Sequence, residues 1–297
     1  MKRFFKSLFL TLFILVILFF GSVIYFLVKS HIENPSDFIN ELKSHDKNIT
    51  FLLMGVDSLN KNKEESTRSD TMMIANINLE SGNVNIISVP RDTYAKIEGY
   101  KSKQKLNHSY KYGGAELTLS TINNLLGTNI KNYIKVNYDF VKAVVDTVGG
   151  IDVDVPIDMD YEDTWADPPL IIHIKKGPQT LNGENAIGFL RFRHGYAMQD
   201  LDRVKAQQQF VSAFMQKLKE PQTIIKAPLL FKAYDKYTES NIPFSKIVKI
   251  GLNVGKFSSD KIHTDTLPGE AGYKNKISYY FLNEKKTDEL LKDIGLK

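Results

Sequence analysis

The chain has 297 residues, with 39 Lys and Arg against 34 Asp and Glu, a formal charge of +5 and no cysteine. The lack of thiols excludes a disulfide framework, a zinc–thiolate site and a cysteine nucleophile. Setting aside the N-terminal cations Lys2, Arg3 and Lys6 leaves +2 for the remainder. That is too little for a general polyanion or nucleic-acid binder, so the arginines have to act locally.

Residues 8–28, LFLTLFILVILFFGSVIYFLV, carry no charged side chain. At about 1.5 Å per residue they span roughly 30 Å, the hydrocarbon thickness of a bilayer. The preceding cations keep residues 1–7 in the cytoplasm and place the rest of the chain outside. A cleaved signal peptide is the alternative, but Lys29-Ser30-His31-Ile32-Glu33 follows where a small-x-small cleavage site belongs. The expectation is an uncleaved transmembrane helix, a polar stalk over 29–48, and one extracytoplasmic domain over 49–297. A cysteine-free outer domain suits the membrane surface of a Gram-positive bacterium.

ITFLLMGVD (49–57) is an apolar run ending in a carboxylate, the pattern of a buried strand. TMMIANIN (71–78) and NVNIISVP (83–90) read as the next strands, joined by a turn at Ser81-Gly82-Asn83. Residues 114–126 have helical spacing with Gly127 as the stop; 132–138 reads as a strand. A helix over 139–148 has Asp139 as candidate N-cap and Gly149-Gly150 as its end. IDVDVPI (151–157) alternates as a half-exposed strand does, and LIIHI (170–174) is another strand, followed by a Gly-Pro turn. Helices are expected at 182–192, 200–219, 222–236, 244–255 and 284–294, with a strand at 261–267. Interleaved strands and helices predict a single α/β domain with a mixed sheet covered on both faces. No internal repeat or low-complexity tract is present.

Arg191-Phe192-Arg193-His194, Asp200-Leu201-Asp202-Arg203 and Gln207-Gln208 crowd three arginines, two carboxylates and two amides together. The guanidinium fork matches phosphate oxygens, so this segment points to phosphate chemistry. Arg191 and Arg193 face the same way only if the chain between them is extended. On a helix from 200, Asp200, Arg203, Gln207, Phe210 and Phe214 share one face. A groove with a charged mouth and an apolar throat has that pattern, and so does a helix that runs from solvent into a core. His194 is read as an incidental histidine. Arg91-Asp92 follows a strand, where ligand groups collect in α/β sheets, or it forms a surface ion pair in a turn. Arg68-Ser69-Asp70-Thr71 directly precedes a strand, which puts Asp70 and Asp57 at neighbouring points on the sheet rim. Two carboxylates with open coordination positions suit Mg²⁺ held against a pyrophosphate; turn-forming aspartates are the other reading. Lys105-Leu106-Asn107-His108, Tyr110 and Gly113-Gly114 add a cation and a Gly-rich turn into a helix.

Taken in order, FLLMGVD, RSDTMMIANIN, SVPRDTY, KLNHSYKYGG, VGGIDVDVP, KKGPQTLNGENAIGFLRFRH and DLDRVKAQQQ resemble the LytR–CpsA–Psr proteins of Gram-positive bacteria from about residue 49 to 220. A single anchor directly before the domain resembles the wall-teichoic-acid type. The resemblance implies an α/β/α sandwich with a long apolar pocket for a polyprenyl tail, and Mg²⁺ on a pyrophosphate. It implies a phosphotransferase that moves an anionic glycopolymer from a polyprenyl-pyrophosphate carrier to the muramic acid 6-hydroxyl of peptidoglycan, making a phosphodiester. By the same resemblance Asp57 and Asp70 are metal carboxylates. Arg68, Arg91, Lys105, Arg191, Arg193, Arg203 and Gln207 bind pyrophosphate, and Asp92 orients the neighbouring arginine. Arg91, Asp92, Arg193, Asp200 and Arg203 form the catalytic set. The chain departs from the family pattern at Asp202, where Gly is common, and at Ala206, where Arg is common. A hydrolase using water as acceptor, or a surface protein that only binds isoprenoid phosphates, would use the same residues.

Overall fold

The computed structural model describes residues 35–44, 46–56, 69–165, 169–192 and 200–297, without the side chains of 35, 70, 200–204 and 259. The contacts divide the chain into two units, residues 1–45 with 243–249 and residues 46–242 with 250–297. The first contains helix α1 (Pro35–Lys43), within the stretch 29–48 that was expected to be a stalk. The rings of Phe38 and Phe244 stack at 6.0 Å, and the buried Lys249 ammonium donates to the Ser44 carbonyl and hydroxyl at 3.0 and 2.7 Å.

The second unit starts with β1 (Asn48–Val56), β2 (Ser69–Asn78), β3 (Val84–Ser88), the short β4 (Tyr94–Ala95) and β5 (Gln104–Lys105), and α2 (His108–Leu126). Then come β6 (Asn132–Val136), α3 (Tyr138–Val148), β7 (Ile151–Val155), β8 (Met159–Asp163), β9 (Leu170–Ile174) and β10 (Gly177–Leu181). Next are α4 (Gly183–Arg191), α5 (Asp200–Lys217), α6 (Pro221–Ile225), α7 (Ala227–Tyr237) and β11 (Thr238–Ser240). Helix α8 (Phe244–Leu252) begins in the first unit and ends in the second. It is followed by β12 (Ile262–Thr266), β13 (Gly269–Lys274), β14 (Ile277–Leu282) and α9 (Glu284–Asp293).

A six-stranded sheet in the order β11-β6-β1-β2-β3-β12 forms the middle layer. It is mixed: β1 pairs parallel with β6 and β12 with β3, while β1–β2, β2–β3 and β11–β6 are antiparallel. Successive side chains leave a strand on opposite faces. Leu52, Met54, Met72, Ile74 and Ile87 therefore join Leu119, Ile122 and Leu126 of α2 and Leu291 of α9 in one core cluster. The alternate residues Phe51, Leu53, Met73 and Ile86 turn to the other face, towards Val211 and Met215 of α5. This is the expected α/β/α arrangement. Among the described residues no helix is long and apolar enough to cross a membrane; the stretch 8–28 lies outside them.

Several expectations need correction. Ser69 and Asp70 belong to β2 rather than preceding it. The N-cap of α3 is Asn137, whose side chain accepts from the Phe140 amide, and Asp139 sits in the first turn. Gly177-Pro178 opens β10, an edge strand paired with β7, where the missing proline N–H costs nothing. The helix expected over 222–236 breaks at Lys226, because Pro228 cannot continue it and instead starts α7. Helix α2 begins six residues early and kinks at Gly113-Gly114, with Gly114 at φ 61 and ψ −150, a conformation open to glycine alone. The β13–β14 hairpin was not foreseen.

Candidate functional site

Between the sheet and helices α3 and α5 lies a cavity of about 540 Å³. Its floor is the face formed by Phe51, Leu53, Met73 and Ala75, and its roof includes Val141 and Val144 of α3 with Phe210 and Phe214 of α5. Gln207, Phe210, Val211, Phe214 and Met215 follow helical spacing, so one face of α5 supplies that side of the cavity. Phe210 and Phe214 both border the cavity and pack with the core cluster around Val145 and Phe189, and the side chains of Asp200 and Arg203 lie outside the described residues.

The two ends differ. At one, Phe51, Ile77, Val84 and Met215 leave only apolar groups. At the other, the carboxyl ends of the parallel strands β1 and β6 meet the ends of α4 and α5, and Thr71, Asn137, Asp163, Arg191 and Gln207 line the wall. Such an apolar volume with a few convergent polar groups is the usual form of a small-molecule site.

Local geometry fixes this polar end. A register shift between Gly55 and Val56 puts Val56 opposite Ser69, whose buried hydroxyl donates to the carbonyls of Thr71 at 2.9 Å and Gly55 at 3.3 Å. A Cβ on Gly55 would lie 3.0 Å from Cβ of Thr71, so a side chain there would press on Thr71. The Gln207 amide donates to Thr71 Oγ1 at 3.0 Å, which ties α5 to the sheet. The Arg191 guanidinium lies 4.8 Å from the centre of the Tyr138 ring. Stacking uses the guanidinium face and leaves its in-plane N–H groups to point elsewhere.

Arg91, Asp92 and Lys105 gather beyond the end of β3, at the same end of the sheet but outside the cavity wall. Lys105 Nζ and Asp92 Oδ1 are 3.1 Å apart, and both groups are half-buried. The turn is held by Thr93, whose amide and hydroxyl both donate to the Pro90 carbonyl, and by the Asn107 amide, which donates to the Arg91 carbonyl at 3.0 Å. Asp92 was expected to orient the neighbouring arginine; the contact the structure gives it is with Lys105. Asn107 Oδ1 is buried with no hydrogen-bond partner among the described residues. A buried acceptor left bare costs about 1–3 kcal/mol, so a ligand donor there would be rewarded.

Asp57, Arg68 and Arg193 lie outside the described residues, as do the side chains of Asp70, Asp200 and Arg203. The backbone still places some of them. Asp57 follows Val56 in sequence, Asp70 lies in β2 beside Ser69, and Asp200 and Arg203 stand in the first turn of α5. Phe192 ends α4 in an extended conformation, and Arg193, which follows it, lies outside the described residues.

Sequence reasoning missed Lys135. It is 3% exposed in β6, pairs with Glu239 at 2.7 Å and sits 5.8 Å from the centre of the Tyr110 ring. Burial, and then Glu116 and Glu239, raise the pKa of the neighbouring Tyr133 hydroxyl. Lys135 is opposite Met54, one step before Gly55, and forms a fixed charge behind the site.

Residues 27–294 match the LytR_cpsA_psr family. The chain belongs to this family. The "polyisoprenyl-teichoic acid–peptidoglycan teichoic acid transferase TagU" of Bacillus subtilis (strain 168) is 29% identical over 96% of the chain and 93% of the relative. TagV of the same organism, with a name of the same form, is 30% identical over 86% of the chain and 66% of the relative. The crystal structure of B. subtilis TagV superposes with a TM-score of 0.72 at 28% identity, covering 84% of the chain and 98% of TagV. The protein gbs0355 from Streptococcus agalactiae gives a TM-score of 0.74 at 28% identity, covering 86% and 92%. The LytR–CpsA–Psr motifs therefore sit on the fold expected of them.

Proposed function

We propose that this LytR–CpsA–Psr protein is a phosphotransferase that moves an anionic glycopolymer, such as a teichoic acid, from a polyprenyl-pyrophosphate carrier to peptidoglycan. The single observation that carries this reading is the apolar cavity that ends in Gln207 and Arg191. A polyprenyl tail is wholly apolar and its pyrophosphate is wholly anionic, and one cavity with one apolar and one polar end suits both. The relatives' names specify the same donor and acceptor classes.

In this reading the tail lies between Leu53, Val144 and Phe214, with the pyrophosphate among Arg191, Gln207 and the arginines 68, 91, 193 and 203. Phosphoryl transfer is governed by positioning and by neutralising charge on the leaving group, which fixed guanidinium groups do without reorganisation. Lys105 and Asp92 hold the Arg91 turn by their ion pair. Asp200 is the candidate general base for the acceptor hydroxyl, and burial would have to raise its carboxyl for that work.

The donor types suit Mg²⁺: Asp57, next in sequence after β1, and Asp70, near the start of β2, are two carboxylates, and Mg²⁺ takes one or two carboxylates and keeps waters. Bound there, the ion would neutralise charge on the pyrophosphate oxygens. The uncharged stretch 8–28 would anchor the chain in the membrane that carries the donor and raise the donor's effective concentration.

The test offers a lipid-linked anionic glycopolymer to the full-length protein, with and without a peptidoglycan oligomer and with and without Mg²⁺. The expected product is a phosphodiester-linked conjugate that forms only when the oligomer is present. Release of polymer by water alone would establish the hydrolase instead. Binding without any product would establish a carrier.

A further inference from the structure

Three large apolar side chains stand in solvent on the elbow between α6 and α7. Ile224 is 51% exposed, Ile225 65% and Leu229 58%. Thr223 and Ala233 on the same elbow are buried, so the helices are seated and present these residues outward. Lys219, Lys226 and Lys232 bracket the three. Between residues 217 and 234 the single acidic side chain is Glu220, and Lys217 pairs with it at 3.0 Å. The patch is therefore apolar within a lysine-rich stretch of chain, with Asp260 of another element near Lys219.

Its place in the fold follows from the hydrogen bonds of α5. That helix starts at the polar end of the cavity, where Gln207 bonds Thr71 and Gln208 bonds Ser88 and Asp265. It descends to Val211 and Met215, which pack with Ile77 and Val84 at the apolar end. Helix α6 follows there, and Lys226 reaches within 4.0 Å of where a Cβ of Gly149, at the lower end of α3, would stand. Helix α7 then climbs back to β11, where Thr238 pairs with Val136. Ile224, Ile225 and Leu229 thus mark the apolar end of the cavity. Asn48, paired with Asn78, lies at that same end of the sheet, and it is where the chain arrives from the N-terminal segment containing residues 8–28.

We propose that this elbow is a membrane-contact surface: Ile224, Ile225 and Leu229 enter the interfacial region of an anionic bilayer while Lys219, Lys226 and Lys232 meet lipid phosphates. An apolar cluster with long cationic side chains at its edge is the composition of interfacial segments, because the lysine stems lie along the apolar zone and the ammonium groups stay with the headgroups. The contact would set the apolar end of the cavity against the bilayer that holds the lipid donor. The proposal rests on the reading that residues 8–28 hold the chain at a membrane.

The chain has no cysteine, so one introduced thiol is a unique label. The full-length variants Ile225→Cys and Tyr273→Cys carry a polarity-sensitive thiol probe and are reconstituted into nanodiscs rich in phosphatidylglycerol. Tyr273 is 81% exposed on the β13–β14 hairpin, which joins the sheet at its other end through Thr93 and Tyr280. The probe at 225 is expected to be quenched several-fold more by nitroxide lipid than by aqueous iodide, with the order reversed at 273. The triple change Lys219→Glu, Lys226→Glu and Lys232→Glu is expected to reduce the lipid quenching at 225 at least twofold. A probe at 225 as open to iodide as that at 273 overturns the proposal. One shielded from both quenchers means a protein partner and overturns it equally. Recovery of the chain outside the nanodisc fraction overturns the anchor separately, and the quenching at 225 in added vesicles then decides the surface contact by itself.

Discussion

The two faces of the six-stranded sheet receive alternate residues of the same strands and are finished differently. On one, Leu52, Met54, Ile74 and Ile87 are fully or almost fully buried against α2 and α9. On the other, Phe51, Leu53 and Ala75 look into a 540 Å³ cavity under α3 and α5. The composition of the two faces is similar, so apolar patterning alone does not decide which becomes a core and which a pocket. The helices decide. Helix α2 lays Leu119, Ile122 and Leu126 onto its face, whereas α5 is pinned to the sheet through Gln207 and Gln208 at one end and leaves the space below it open. A packed face stores stability; the other face gives up some of that packing to keep a volume for ligand.

The comparison can be broken first at the polar end. Arg91→Ala should lower transfer by about 10²–10³-fold or more, the usual loss when one fixed charge-stabilising group is removed, while thermal unfolding stays cooperative and close to wild type. Wild-type-level transfer by the folded variant would remove Arg91 from the site. Next, on the packed face, Ile74→Ala should cost about 2–5 kcal/mol by chemical denaturation, since a fully buried side chain is lost from a filled core. On the cavity face, Phe214→Ala should cost only about 1 kcal/mol, because this half-buried ring already borders empty space, but it should weaken binding of a polyprenyl phosphate. Equal stability losses at 74 and 214 would mean that the faces are packed alike.

The smallest effect belongs to Tyr280, at the junction of the β13–β14 hairpin. Its hydroxyl donates to the Leu267 carbonyl at 2.8 Å, and burial raises its pKa above the ordinary value near 10. Tyr280→Phe should cost about 1 kcal/mol. The neutral phenol is the form the fold favours. The side chain's contribution is therefore present in full below about pH 10 and is lost as pH rises through the higher folded value. Denaturation series of both proteins across that alkaline range check the sign.

Much of this was legible in the sequence where local pattern and tertiary role agree. The apolar segments at 49–57, 71–78 and 83–90 gave the central strands β1, β2 and β3, and the spacing of Gln207, Phe210 and Phe214 gave the cavity face of α5. Whether those two rings were core or pocket was not readable, because it depends on how far α5 stands from the strands. Pro178 suggested a turn, and only the edge position of β10 makes it a strand residue. The β13–β14 hairpin has a polar, glycine-containing first strand and finds its anchor at Thr93, far away in the chain. Its Asn275-Lys276 turn, with φ of 51 and 64, uses two non-glycine residues in the left-handed region, so the usual glycine marker is missing. The burial of Lys135 was not readable, since its partners Glu239 and Tyr110 come from other elements.

The most direct test of the cavity's role is to fill it. Val144 is buried and lines the cavity, so Val144→Phe adds bulk to open space rather than to a packed core. Transfer by wild type and variant is measured with two donors that differ only in prenyl length, one full-length and one cut to a few isoprene units. The account predicts that the variant loses at least ten-fold with the long-tailed donor and keeps its rate with the short one, at unchanged stability. Equal rates for both donors in a stably folded Val144→Phe protein would contradict it.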